Sequence, residues 1–406
     1  HPEGGITDSS EIRIVSSSIL CEGITAVHVS NDFRNFFLEI DSVDISSFGG
    51  DNVTNFQLGN DDGNPSSIGT FLLNTIVFNN ANLLTNSSQD AYGRVSNIHI
   101  ARGASVESLL FRFTGGSMVA ISNGAGGEAQ NFFTDSSGVN RTPFRFDGTS
   151  FTATSFGAQN ANNFNFAKNL PPTSSVQLSG INAVVSTRVG EATNIRLAVC
   201  EAVSSRMDSP SSSSFSSSNG FDLIIDKQSN LRAQCVENMT CAAIQELVNI
   251  RGGDPHRICS LGWSAVDIAI KQSTLLADGD TATNEANVFN MKLGSFDTTQ
   301  LEIVGATLDV RIGGAHPSAR DANVALNFTN ITVDGATIVA TSSGKSTVSN
   351  FIFNPPTSEM LSGTAQAIVS IQGTSLKAEG TSGNVTNVDR IADDEFYGAP
   401  SWRQQS

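Results

Sequence analysis

FDGTSFTATS, residues 146–155, returns as VDGATIVATS, residues 333–342, with Asp147 and Asp334 lying 334 − 147 = 187 residues apart. Each Asp-Gly reads as a turn, and the alternating residues after it read as a strand. At the same offset Asn163, Phe164 and Phe166 match Asn350, Phe351 and Phe353. PPTS then follows at Pro171 and Pro355, and LSG at Leu178 and Leu361. Weaker upstream matches join FRFTGG, ending at Gly116, to VRIGGA from Val310, and TIVFNN from Thr75 to ANVFNM from Ala286. Ordered matches at a nearly constant offset predict a duplicated domain, with the segments Asp147–Val185 and Asp334–Val369 in equivalent strands.

Short alternating or apolar segments between turn residues fill both halves, from EIRIVSSSIL at Glu11 to the segment that ends in SLKAEG at Gly380. Hydrophobic residues make up 39% and charged residues 15% of the 406, a balance that favours strands and turns. The expected fold is all-β, with two tandem, internally duplicated β-sandwich or jelly-roll-like domains and one short helix near 240–250, read from Ile244, Leu247 and Val248. The expected boundaries are an N-terminal arm at 1–10, a first β domain at 11–203 and a Ser-rich linker or loop at 204–220. A second β domain at 221–390 holds the Cys-containing helical segment, and a C-terminal arm spans 391–406. A right-handed β-helix is the alternative, since Asn-rich segments such as VSNIHI suit its coils, although no short coil-length period stands out.

A net charge of −16 argues against nucleic-acid and anionic-membrane partners. No apolar run approaches the roughly 20 residues of a spanning helix. The start at His1, with no basic and apolar leader, is what removal of a signal peptide would leave. Among the cysteines, Cys200, Cys235, Cys241 and Cys259 lack zinc-like spacing and are read as disulfide partners. A local Cys235–Cys241 bridge is one pairing, and the odd fifth residue, Cys21, leaves one thiol over. Sequons begin at Asn52, Asn86, Asn140, Asn238, Asn327, Asn330 and Asn384. Asn52, Asn86, Asn140 and Asn384 stand in the more turn-like surroundings and are the preferred N-glycan sites. These features place the chain outside the cell.

The histidines His1, His28, His99, His256 and His316 are scattered, and His28 and His99 alternate with apolar neighbours as strand residues do. Neither HExxH nor GxSxG occurs, and SNGAGGEA near Gly124 lacks the Lys-Ser/Thr of a phosphate loop, so the chain is read as a non-enzyme without catalytic residues. Asp61, Asp62, Asp278 and Asp280 gather oxygen donors around glycines, as calcium prefers, and no other cofactor is implied.

Acidic, Ser/Thr/Asn-rich tandem β domains with cysteines and sequons resemble secreted, glycosylated subunits of extracellular fibrils and surface layers. The resemblance implies self-assembly, with further copies of the chain as partners. The tail's Phe396, Tyr397 and Trp402 are the expected assembly contacts, completing a neighbour's sheet. A secreted adhesin or carbohydrate-binding module, calcium-dependent at the Asp-rich loops, is the rival reading.

Overall fold

The computed structural model describes residues 7–8, 10–23, 25–29, 33–50, 52–60, 69–88, 92–101, 104–134, 138–157, 159–166, 174–201, 221–237, 240–249, 266–282, 285–291, 300–313, 320–326, 330–344, 347–353, 368–380, 385–390 and 401–405. The chain is all-β, and its strands pair in parallel. Three long sheets carry the fold: sheet I with 12 strands, from Glu11–Val15 to Ser401–Gln405, and sheets II and III with 11 each. The chain passes from I to II to III and returns to I beside its own previous strand, so the architecture is a parallel β-solenoid. In the first coils a fourth, 5-stranded sheet IV lies between III and I. With strands roughly 4.8 Å apart, the stack is about 50 Å tall.

The corner between sheets I and II explains why the strands do not form hairpins. In most coils it is two residues long, with a left-handed first residue and a small or buried second one. Ser42-Val43, Asn80-Ala81, Gly148-Thr149, Gly180-Ile181, Gly305-Ala306 and Gly335-Ala336 all follow this rule. One left-handed residue turns the chain aside without reversing it, so the next strand starts a new sheet. At Gly116 (φ 69) an added Cβ would meet the Ala81 carbonyl oxygen at 2.1 Å, so there glycine also permits close stacking of coils.

Sheets I and II alternate. In sheet I the inward residues form a continuous apolar column in register: Ile12, Leu38, Ile76, Phe111, Phe144, Val176, Leu223, Ile268, Leu301 and Ile331. Sheet III breaks the alternation. Its strands VTNFQL, VSNIHI, AQNFFT and ANNFNF are buried at every position, and their core residues fall at the first and fourth places and, except at Thr134, the sixth, as in Val53, Phe56 and Leu58. At the third place stands an asparagine, and these form a ladder through the interior. Asn55 Nδ2 donates to Asn97 Oδ1 at 2.7 Å, Asn97 to Asn131 at 2.6 Å, Asn131 to Asn163 at 2.6 Å and Asn163 to Asn194 at 2.7 Å. Several also donate across to sheet II, Asn131 to the Thr152 carbonyl at 2.9 Å and Asn163 to that of Val184 at 3.1 Å. Asn55, Asn131 and Asn163 thus bridge both coils and sheets, which helps a buried polar row to be tolerated. Phenylalanines stack beside it: Phe132 lies 5.2 Å from Phe144 and 5.7 Å from Phe166, ring to ring.

Three sequence expectations change. Sandwich or jelly-roll packing gives way to long parallel sheets, because corners replace hairpins. The helix near 240–250 is the strand Thr240–Asn249 of sheet III, paired with Ala192–Glu201 and Glu285–Met291. Ile244, Leu247 and Val248, whose spacing suggested a helical face, lie along this one strand, in register with Ile195, Ala198 and Cys200, where the pairing carries an irregularity. The internal match relates coils within one stack: Pro143–Asp147, Ser150–Ser155 and Ala161–Phe166 hold the same sheet positions as Asn330–Asp334, Thr337–Ser342 and Thr347–Phe353, five coils later.

Beyond those strands the match fails, since Val185 lies in sheet II and Val369 in sheet I. Leu361 lies outside the described residues. The weaker matches fail too: Leu110–Thr114 belongs to sheet I but Thr307–Ile312 to sheet II, and Thr75–Asn79 to sheet I but Glu285–Met291 to sheet III. Residues 204–220 lie outside the described residues, and Ser175–Ser179 pairs with Phe221–Asp226 across them.

Candidate functional site

A solenoid filled with side chains offers its outward faces, its corners and its two ends. In sheet II alternation sends Ser, Thr or Asn outward at the start of every strand but Asp44–Gly49, and these positions meet along the stack: Asn82 Nδ2 donates to Asp44 Oδ1 at 2.9 Å and Ser117 Oγ to Asn82 Oδ1 at 2.9 Å. Asn86 is half-buried on this face, in register with Phe48. Its side-chain Oδ1 accepts from Asn123 Nδ2 at 2.6 Å, and with Glu22, Gly23, Phe48, Gly49, Ser87 and Ser88 the residue borders a cavity of about 590 Å³. Asn52 is exposed in a left-handed turn (φ 55), its Oδ1 accepting from the Arg94 backbone N–H at 3.2 Å. Asn330 begins the strand Asn330–Asp334 and Asn140 ends Gly138–Asn140. Asn238, Asn327 and Asn384 lie outside the described residues.

A second cavity, about 400 Å³, is bordered by Gln234, Cys235, Asp278, Gly279, Arg311, Ile312, Gly313, Thr341 and Ser343. The acids here have cationic partners: Asp278 is 2.9 Å from Arg232, and Asp309 is 2.5 Å from Arg311, whose pKa its hydrogen bond and charge raise further. Asp278 is therefore a strand residue in an ion pair, and it stands apart from any group of three or more metal-ligating side chains among the described residues. Asp280 shares its strand, Thr274–Ala282, while Asp61 and Asp62 lie outside the described residues.

Cys21 is a half-buried free thiol in the first coil. Cys235 is buried at the end of the sheet II register, opposite Thr187 and Gly279. Cys200 and Cys241 stand in the paired sheet III strands Ala192–Glu201 and Thr240–Asn249, and Cys259 lies outside the described residues. His28 Nε2 is 2.9 Å from the Gly59 carbonyl, and the buried His99 ring lies 4.9 Å from that of Phe133, both in strand positions.

Phe396 and Tyr397 lie outside the described residues. Trp402 is in the strand Ser401–Gln405, which extends sheet I of its own stack in register with Ile368–Gln372. The other end of sheet I is Glu11–Val15, where the core column surfaces: Ile12 is 45% exposed, against 2% for Leu38 beside it. The sequence pointed to Trp402 but not to Glu11–Val15 as an end, since the first strand of a sheet becomes visible as an edge only once the stacking order is known. Among the described residues no helix is long and apolar enough to cross a membrane. The chain matches no protein-family model, no curated protein and no solved structure.

Proposed function

We propose that this chain is a non-enzymatic structural subunit of an extracellular fibril, joining copies end to end through its terminal coils. The observation that supports this most is the surfacing of the sheet I core column at Ile12, with Glu11–Val15 at one end of that sheet and Ser401–Gln405 at the other. An unpaired parallel edge is a template for another strand, and a head-to-tail contact that does not close on itself propagates into a filament. The corners support the same reading, because Ser16 (φ 47) near one end and Gly373 (φ 56) near the other turn the chain in the same way. The Ser/Thr/Asn outer face, and the sequons Asn52 and Asn86 on the surface, suit a glycosylated secreted coat.

Negative-stain microscopy of the intact chain at rising concentration should show filaments. Removing residues 391–406, or residues 1–15, should leave folded monomers. If both truncated chains polymerise as the intact one does, the end contact is wrong.

A further inference from the structure

The outward face of sheet I carries a doubled positive charge that the fold does not balance. Arg112 and Arg145 are directly opposite one another on adjacent strands, and both are exposed. Their outer neighbours in the same column are Val77 and Gln177, so neither guanidinium has an acid beside it in the stack. The nearby acids have other cationic partners, Glu107 pairing with Arg141 at 3.7 Å and Asp147 with Lys227 at 3.9 Å. Arg112 Nε donates to Thr114 Oγ1 at 3.1 Å, which orients that guanidinium along the face. Like charges directly opposite on neighbouring strands are destabilising. On a chain of net charge −16, this pair is a local exception.

We propose that Arg112 and Arg145 form a binding strip for an anionic polysaccharide, gripping successive carboxylate or sulfate groups. Strands roughly 4.8 Å apart hold the two planar forks side by side, and each fork matches a carboxylate or sulfate in two-pronged fashion. Beside them Leu110 and Pro143 are half-buried and in neighbouring strands, a surface against which the C–H face of a sugar ring can lie. A flat strip along the stack suits a polymer, and it does not depend on how the ends associate.

The test is equilibrium binding of the full chain to polygalacturonate, a sulfated galactan, a neutral galactan and double-stranded DNA, at low and high salt. One of the two acidic polysaccharides should bind and release in salt, and which one binds distinguishes carboxylate from sulfate. Arg112→Gln with Arg145→Gln should weaken it about tenfold or more, with an unchanged circular dichroism spectrum. Arg112→Lys with Arg145→Lys should fall between, keeping charge but losing the fork. The proposal is overturned if neither acidic polymer binds, if the neutral galactan or DNA binds as tightly, or if the double glutamine variant binds as the parent does.

Discussion

Asn163 takes part in three bonds of the interior ladder, accepting from Asn131 and donating to Asn194 and to the Val184 carbonyl. Asn163→Ala removes all three and leaves buried groups on its neighbours unpaired. It should cost about 2–4 kcal/mol, at roughly 1–3 for each orphaned group, read as a lower urea midpoint. Asn163→Asp should be worse at neutral pH, because a carboxylate can accept from Asn131 but cannot donate onward, and should recover partly as acid protonates it. Two glycines separate backbone strain from crowding. Gly148 (φ 61) has open space where a Cβ would stand, whereas Gly116 (φ 69) has the Ala81 carbonyl oxygen at 2.1 Å. Gly148→Ala should cost about 1–2 kcal/mol from the left-handed backbone alone. Gly116→Ala should cost clearly more by thermal unfolding, and equal losses would show that the corner relaxes.

Between neighbouring strands, register decides which charges meet. Asp267 and Asp222 are paired in register on the outer face of sheet I. Burial, and then the charge of Asp222, raise the Asp267 carboxyl above its usual pKa. A carboxyl raised in the fold is one whose charged form the fold disfavours. The penalty is therefore present above its folded pKa and vanishes below the ordinary carboxylate range near 3.9. Asp267→Asn should raise the unfolding midpoint at about pH 7 and change nothing at about pH 3, where both states are protonated. A gain that persists in acid would point to a cause other than charge.

The same scale explains what was legible. Strand content was, because alternation in sheets I and II is plain in FRFTGG or TIVFNN. The coil period was not, because the sheet I to II corner returns at unequal intervals, 26 residues from Ser16 to Ser42 but 47 from Gly180 to Lys227. Insertions elsewhere in each coil vary in length, and only the corner and the Asn-apolar-x-apolar of sheet III repeat. Both signals stood in the sequence, the first in FDGTS and VDGAT, the second in VSNIHI and ANNFNF. Equal corners made a coil look like a domain copy. The Arg112–Arg145 strip was illegible for a different reason, since residues 33 positions apart become neighbours only through register.

Over the whole molecule, each coil packs on its neighbours alone, so the stack gains stability by propagation and its ends are its weakest and most adhesive parts. The end strand Glu11–Val15 leaves Ile12 half in solvent, while its column runs on through Leu38, Ile76 and Phe111, all nearly fully buried. A second copy arriving end-on would restore that burial, gaining roughly 1.5–3 kcal/mol for each large apolar side chain covered, besides strand hydrogen bonds. Against this stands a net charge of −16 on every copy, a repulsion that acts over about 10 Å at 0.1 M salt and over about 30 Å at 0.01 M. Association should therefore strengthen as salt rises, opposite to the behaviour expected at the arginine strip. Sedimentation velocity on the intact chain should show larger species growing with sodium chloride. Ile12→Lys should abolish them although it lowers the net negative charge, because an ammonium buried at the junction has no partner there. If the lysine variant associates more readily than the parent, charge alone governs assembly and the end strand takes no part in it.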